Sequence, residues 1–487
     1  MRKICSHFVF LLLIFISNFS FSQHITFEKY YDFGLTNAEE GYCVQQTTDG
    51  GYIVAGRHTI GIGSEQMLLQ KVDSTGLTQW YKFYGGPGDS EAHSVQQTTD
   101  GGYIMVGNTP GVISMYSIYL VKTNSNGDTL WTKIFAGENK PNYSDDAYSV
   151  RQTFDGGYAI AGEFNNDSTD VGYLLKTNAN GDSIWSKQFI GFVGGAFYSM
   201  QELPDSGFIM AGVIAQYTSG NNSFIFLVRT DKNGDSLWTK KIGKPTLSPG
   251  ANSVSTTTDG GYIIVGTTDS LQQKLYLIKT NSSGDTLWTK TYSGTGNDVG
   301  EGVQQTSDGG YIITGATTSY GGSSGTEYLY LLKTNSSGNF EWRKTFGGTW
   351  GASLGDCIQV TSDGGFIISG FTSSYGNLDG DVFLIKTDSA GNVLTSVNEI
   401  NHYGPLFLIC PNPFKEQTNI FLSNRIFGIQ DLQLSITDVL GKEVRREIIP
   451  NGDDVITIHR NLLPAGMFFV QIFSGTELLA CSKIIIQ

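Results

Sequence analysis

Histidines and paired carboxylates are where chemistry would begin in this sequence, and they are sparse. Between residues 23 and 400 the histidines are His24, His58 and His93. His58 and His93 stand near Asp89 and Glu91, but a zinc site needs three or four converging ligands, and this spacing does not supply them. No metal and no cofactor is expected. Asp145 with Asp146, and Asp298 with Glu301, are residue pairs of the type that serves as acid and base in bond cleavage. They lie in loop-like stretches, where carboxylates are ordinarily solvated. There is no Gly-x-Ser-x-Gly elbow, no His-Glu-x-x-His pair and no phosphate loop ending in Gly-Lys-Ser. Asp231-Lys232-Asn233-Gly234-Asp235 begins like a calcium loop, but its glycine is displaced and Ile242 stands where the closing glutamate belongs, so it reads as a turn.

The elements that must position these residues come from a repeat. Thr257 to Gly266 reads TTDGGYIIVG, a strand end, a tight turn and a second strand. The turn aspartate recurs at Asp49, Asp100, Asp155, Asp205, Asp259, Asp308 and Asp363, at intervals of 49 to 55 residues. A period near fifty marks a propeller or a solenoid. One unit reads as four strands: Ser94–Thr98, Tyr103–Gly107, Tyr119–Thr123, and a fourth opening at Leu130. Glycine in the Asp-Gly-Gly turn supplies the positive φ that other residues resist. Four strands per repeat make a propeller blade.

The fourth strand carries Trp80, Trp131, Trp185, Trp238, Trp288 and Trp342, each followed two residues later by lysine. The seventh repeat has no such strand. Phe27 to Tyr31 has its pattern, so the N-terminal strand is expected to complete the last blade and close the ring. The expected fold is therefore all-β: a seven-bladed propeller of four-stranded blades over residues 23–400, closed by the N-terminal strand. The strand-three Lys122, Lys176, Lys279, Lys333 and Lys386, with Arg229, recur in every blade and read as scaffold, since stacking must keep symmetry and ligand sites break it.

Composition narrows the function. The net charge is -14, which disfavours nucleic acid and anionic membranes as partners, both being polyanions. Arg2 and Lys3 precede an apolar run from Phe8 to Ile16 that is too short to span a bilayer, and Ser20-Phe21-Ser22 suits a signal peptidase. Residues 1–22 read as a signal peptide, and no later segment reads as transmembrane. The cysteines Cys43, Cys357, Cys410 and Cys481 are too few for a disulfide scaffold. Cys410 and Cys481 could pair, or stand as buried thiols. Cys43 and Cys357 occupy the same first-strand position in the first and seventh repeats. Equivalent positions point the same way around a ring, so their sulfurs are not expected to face each other.

The strand 2–3 and strand 4–1 connections are long, variable and on one face, where a rigid scaffold usually binds. That face holds Trp350, the one tryptophan outside the fourth-strand set, and Tyr116, Tyr217, Tyr320 and Tyr375 in strand 2–3 loops. His93 is placed on the same face. Aromatic rings there would stack on a sugar or anchor a protein. The plainer reading is that each tyrosine packs on its own blade.

Beyond Ile400 the repeat stops, proline becomes denser, and alternating strands suggest a β-sandwich over 401–487. This segment carries Pro411-Asn412-Pro413-Phe414, Asp438-Val439-Leu440-Gly441-Lys442, Leu463-Pro464-Ala465-Gly466-Met467-Phe468, and Lys483 to Gln487 at its end. With these four motifs it resembles the C-terminal sorting domain, type A, of the type IX secretion system of Bacteroidota. The resemblance implies that this domain engages the secretion machinery and delivers the chain to the cell surface or the medium. The propeller resembles those of secreted bacterial proteins and, at the level of fold only, quinoprotein blades, which implies no cofactor. Asp128-Thr129-Leu130, Asp182-Ser183-Ile184, Asp235-Ser236-Leu237 and Asp285-Thr286-Leu287 look like the O-glycosylation acceptor of the same bacteria. The reading is an exported propeller that binds a glycan or a surface protein without catalysis. The alternative is a secreted hydrolase or lyase with its site on the long-loop face.

Overall fold

Seven four-stranded antiparallel sheets follow one another along the chain, each ordered first to fourth strand from the centre outward. The computed structural model describes residues 25–393 and 407–486 apart from short loop segments, the longest being 136–143 and 423–431. Blade 1 is Glu39–Gln46, Tyr52–Thr59, Glu65–Val72 and Thr78–Tyr84. Blade 7 is Ser353–Val360, Phe366–Thr372 and Asp381–Thr387, with Phe27–Tyr31 as its fourth strand. That last strand pairs antiparallel with the third, Phe27 opposite Lys386 and Tyr31 opposite Val382. The ring is closed as the repeat pattern implies.

The core lies between blades. Seven apolar clusters each join one sheet to the next, the seventh joining Val382 and Leu384 of blade 7 to Val54 and Leu68 of blade 1. The fourth-strand tryptophan lies over the glycine of the next blade's 3–4 turn. A Cβ at Gly127 (φ 76°) would stand 2.7 Å from the Trp80 ring, and at Gly391 2.6 Å from Trp342. Phe27 takes this place against Gly76, which explains why the N-terminal strand needs no tryptophan.

The repeated lysine holds the repeated turn. Lys71 reaches Asp49 at 2.9 Å, Lys122 reaches Asp100 at 2.8 Å, and Lys386 reaches Asp363 at 2.9 Å; Arg229 with Asp205 substitutes in blade 4. Burial raises these carboxyls, but hydrogen bonds from the turn threonine, the lysine and a glycine amide outweigh it. Asp49, Asp100, Asp259 and Asp308 fall to about 2. A second ionic belt runs between blades, from Lys133 to Asp182, Lys187 to Asp235 and Lys240 to Asp285, each at 2.7 Å. Lys82 pairs with Asp128 in the same way, and Thr129, Ser183, Ser236 and Thr286, next to the acidic partners of this belt, are exposed.

The C-terminal residues form a three-stranded sheet and a four-stranded sheet that share a core of Ile420, Leu434, Ile436, Ile458, Val470, Ile472 and Ile484. No helix among the described residues is long and apolar enough to cross a membrane. The signal-peptide segment and the link from 394 to 406 lie outside the described residues.

Candidate functional site

The first strand of every blade is interrupted at one residue. Register shifts fall between Ala92 and Ser94, Ala147 and Ser149, Phe197 and Ser199, Ala251 and Ser253, Gly300 and Gly302, and Gly355 and Cys357, with a wider one between Glu40 and Cys43. These are β-bulges, which re-aim a side chain out of the ladder. The repeat provides for them on the second strand. A Cβ at Gly56, Gly107, Gly162, Gly212, Gly266, Gly315 or Gly370 would lie 1.7 to 2.0 Å from a first-strand carbonyl oxygen. The glycine that ends each TTDGGYIIVG-like stretch is therefore the partner of the bulge.

The bulged residues are Tyr42, His93, Tyr148, Tyr198, Asn252, Glu301 and Asp356, and all seven line one axial cavity of about 450 Å³. That volume suits a small-ligand pocket. Every blade has the bulge, yet the side chain it presents changes around the ring. Tyr42, His93, Tyr148 and Tyr198 form a continuous aromatic arc, with ring centres 5.2, 5.2 and 5.0 Å apart. Asn252, Glu301 and Asp356 complete the circle with polar groups. Towards the Asp-Gly-Gly turns the lining changes to Gln45, Gln96, Arg151, Gln201, Gln304 and Gln359. Several of these glutamines clamp the neighbouring blade: Gln45 accepts from the Gln97 amide at 2.6 Å, and Gln304 from the Val360 amide at 2.8 Å.

Charge at the cavity is muted at neutral pH. Burial lowers His93 to about 4 despite Asp146 nearby, so the ring is neutral. Burial raises Glu301 to about 7, against a hydrogen bond from Asn252. Asp356 is raised well above the carboxylate range by burial, then by Glu40 and Glu301. Tyr148 donates its hydroxyl to Glu163 at 3.1 Å, and burial with Asp146 raises Glu163 to about 7. Above the arc, Arg57 is held by Glu40 at 3.0 Å and Glu65 at 2.9 Å. The wall thus offers ring faces, hydroxyls and protonated or half-protonated carboxyls.

These shifts set a two-sided pH dependence of stability. The turn aspartates ionise more readily folded than unfolded, so their contribution is full above about pH 4 and is lost as pH falls towards 2. Glu301 and Glu163 bind protons more tightly folded, so stability rises as pH falls from about 8 to about 5. Thermal unfolding from pH 8 to 2 is expected to peak near pH 4 to 5, and Glu301→Gln to flatten the alkaline limb. A melting temperature highest at pH 8 would contradict the burial of these carboxyls.

Glu301, read in the sequence as a loop carboxylate, lines this cavity with Cys43 and Cys357, and of the expected ligand-binding residues only His93 does. It lies on the inner strand rather than on the long-loop face, because the first strands line the axis. His58, expected beside it, is buried on the second strand of blade 1, with Nδ1 2.7 Å from Glu39 Oε1. Trp350 is 82% exposed. Tyr320 stacks on Tyr330 with the Arg343 guanidinium 3.6 Å from its ring centre, and Tyr375 stacks on Tyr30 at 5.9 Å. Tyr116 opens the strand Tyr116–Thr123 with its hydroxyl 3.4 Å from Asp89, so it is not a loop residue. Tyr217 is likewise in a strand, its backbone paired with Asn221 in a long hairpin; its side chain lies outside the described residues. No ring contact joins any two of these six among the described residues.

The cysteine expectation is corrected. Cys43 and Cys357 have their sulfurs 3.9 Å apart, both as free thiols. Inner strands converge on the axis, so equivalent positions of neighbouring blades approach each other even though they point the same way. The Cys410 side chain lies outside the described residues.

The C-terminal motifs meet at one end of the four-stranded sheet. Asp438 pairs with Phe468, and Phe468 with Ile484. Gly441, at φ 81°, turns the chain so that the Lys442 amide donates to Asp438 Oδ1 at 2.9 Å. Asn412 donates to the Lys483 carbonyl at 2.9 Å and accepts from the Ile485 amide at 2.9 Å. Pro413 follows Asn412 through a cis bond, Gly466 pairs with Ile486, and Lys442 and Lys483 are exposed. Pro411 lies outside the described residues.

No curated protein matches the chain. Among solved structures it is similar to a streptogramin B lyase, at 12% identity and a TM-score of 0.46, covering 74% of this chain and 98% of that one. It is similar to the Pan2 WD40 domain of Neurospora crassa, at 10% identity and a TM-score of 0.43, covering 72% and 95%. A Dyadobacter fermentans protein of unknown function has 11% identity and a TM-score of 0.41, covering 74% and 97%. Residues 408–487 match the family described as "Secretion system C-terminal sorting domain". The chain thus carries a secretion-system sorting domain on an all-β, seven-bladed propeller.

Proposed function

We propose that this protein is exported through the type IX secretion machinery of a Bacteroidota cell, reaches the surface or the medium, and there binds a glycan or a surface protein without catalysis. The sorting-domain match supports the route. One observation carries the binding role: seven bulges built by an invariant glycine present seven non-equivalent residues to one cavity. A scaffold has no use for that variation, whereas a ligand site does. A wall of aromatic faces, hydroxyls, amides and largely uncharged carboxyls suits a neutral polyhydroxylated ligand. Exposed Trp350 is the alternative seat.

A glycan-binding screen on the purified chain tests this beside Tyr148→Ala and Trp350→Ala. Loss of about tenfold or more in affinity with Tyr148→Ala alone assigns the ligand to the channel. The same loss with Trp350→Ala alone assigns it to the long-loop face. Glycan binding unaffected by either substitution removes both seats, and no glycan binding at all removes the glycan reading and leaves a protein partner.

The competing reading, a hydrolase or lyase, has one feature in its favour. Glu301 and Asp356 are neighbouring carboxyls held partly protonated by burial, as a general acid requires. Turnover of a bound glycan that Glu301→Gln abolishes while binding persists would establish it.

A further inference from the structure

One inner-strand position, the residue after each bulge, is serine or glycine in blades 2 to 6: Ser94, Ser149, Ser199, Ser253 and Gly302. Blades 1 and 7 carry Cys43 and Cys357 there. The position faces the next blade. Ser94 accepts from the Val150 amide and Ser199 from the Val254 amide, each at 3.2 Å. A Cβ at Gly302 would stand 3.2 Å from the Ile358 amide nitrogen. Cys43 meets the Val95 carbonyl of blade 2 at 3.8 Å, and Cys357 the Val44 carbonyl of blade 1 at 3.7 Å. Since the direction is shared, two reactive side chains meet only where neighbouring blades both carry one. Blades 7 and 1 do, and there the sulfurs lie 3.9 Å apart.

Both thiols are half-buried and line the axial cavity, so a reagent entering the channel can reach them. The Cys357 thiol donates towards Cys43 and, against burial, holds the Cys43 thiol down to about 7, where a large share is thiolate at neutral pH. The same contact, with burial, raises Cys357. Cys43 is thus the attacking sulfur and Cys357 the resolving one. A disulfide is about 2.05 Å long, so the sulfurs must approach by about 1.9 Å, and the cavity beside them leaves the side chains room to turn. An exported chain meets compartments where disulfides form and persist. A bond here would join residues 314 apart in a loop that passes through every blade. The ring would then stay closed even when Phe27–Tyr31, held to blade 7 by its pairing with Asp381–Thr387, comes away.

We propose that Cys43 and Cys357 are a redox-active dithiol site whose substrate is a disulfide, and that its oxidation clasps the ring covalently across the seam. The Cys43 thiolate attacks one sulfur of a disulfide RS–SR and expels RS⁻, which takes up a proton. Cys357 then gives up its proton and attacks Cys43 Sγ in the mixed disulfide, expelling the second RS⁻. The protein dithiol is oxidised, and RS–SR is reduced to two RSH. To test this, the full chain is reduced, desalted, incubated without air in oxidised glutathione, alkylated, digested and mapped by mass spectrometry. Peptides joined through Cys43 and Cys357 are expected, and the oxidised chain should melt several degrees above the reduced one. Cys357→Ser installs the residue that four other blades carry, so it should fold. It should retain one glutathione on Cys43 and lose the shift in melting temperature. Absence of the joined peptides at every glutathione concentration overturns the proposal, as does their formation only in denaturant. A shift in melting temperature that survives in Cys357→Ser also overturns it, since another cysteine would then be responsible.

Discussion

Gly107→Ala is expected to cost at least about 3 kcal/mol of stability, and to leave much of the protein insoluble. The new Cβ would stand 1.8 Å from the Glu91 carbonyl oxygen and 3.0 Å from Ala92 Cα. Both obstacles are backbone, so no rotamer change relieves them. Only straightening or displacing the first strand would, and that withdraws His93 from the cavity. Gly101→Ala is the control. Gly101 has φ 82° with nothing within 4 Å of a Cβ, so alanine there meets left-handed strain alone, about 1 kcal/mol. Denaturant unfolding of both variants against the wild type measures the difference. Equal losses would mean that the second-strand glycine is kept for its backbone freedom and not for the bulge. The same comparison at Gly266 and Gly260 extends the test to blade 5.

Phe27→Ala is expected to cost about 3 kcal/mol and to open the ring at one place. Phe27 is buried between blades 7 and 1, meets Tyr52 edge-on at 6.0 Å, and covers Gly76 as the tryptophans cover their glycines. Losing it loosens a five-residue strand that is joined to the ring chiefly through Asp381–Thr387 and the Tyr31 hydroxyl on the Gly76 carbonyl at 2.7 Å. The third strand of blade 7 then becomes an unpaired edge, a template for association. Hydrogen exchange should accelerate first at the amides of Asp381–Thr387, with blades 3 to 5 following only at global unfolding. Trp238→Ala removes an equivalent interblade contact without freeing a chain end, so its loss should appear as lower global stability and not as local opening. Uniform exchange in Phe27→Ala would show that the closure is not the weak point.

Most of the architecture was legible in the sequence because a propeller is written in local patterns. The Asp-Gly-Gly turns, the fourth-strand tryptophans and the alternating strands each report on neighbours a few residues away. Their recurrence at about fifty residues implied the ring. The missing fourth strand of the last repeat, set against Phe27–Tyr31, implied the closure, and Lys122 with its counterparts, read as scaffold, holds the turn aspartates. The sorting domain was legible for a different reason: its four motifs, in order, resemble those of a known family, and residues 408–487 match that family.

The candidate site was not legible in the same way, although a signal existed. The residue before the small one in each first strand, Tyr42, His93, Tyr148, Tyr198, Asn252, Glu301 and Asp356, is the variable position in an otherwise repetitive stretch. The glycine closing each second strand marked the bulge beside it. Attention to long loops passed over both. A strand residue's direction depends on whether the ladder is regular, and a single bulge turns it from the sheet face to the axis. The sulfurs of Cys43 and Cys357 lie far apart along the chain, on elements that meet only when the ring closes. Sequence fixes which residues each blade presents. The convergence of inner strands on one axis, and the seam between first and last blade, arise from the sum of seven interblade rotations, so only the tertiary structure decides what they bring together.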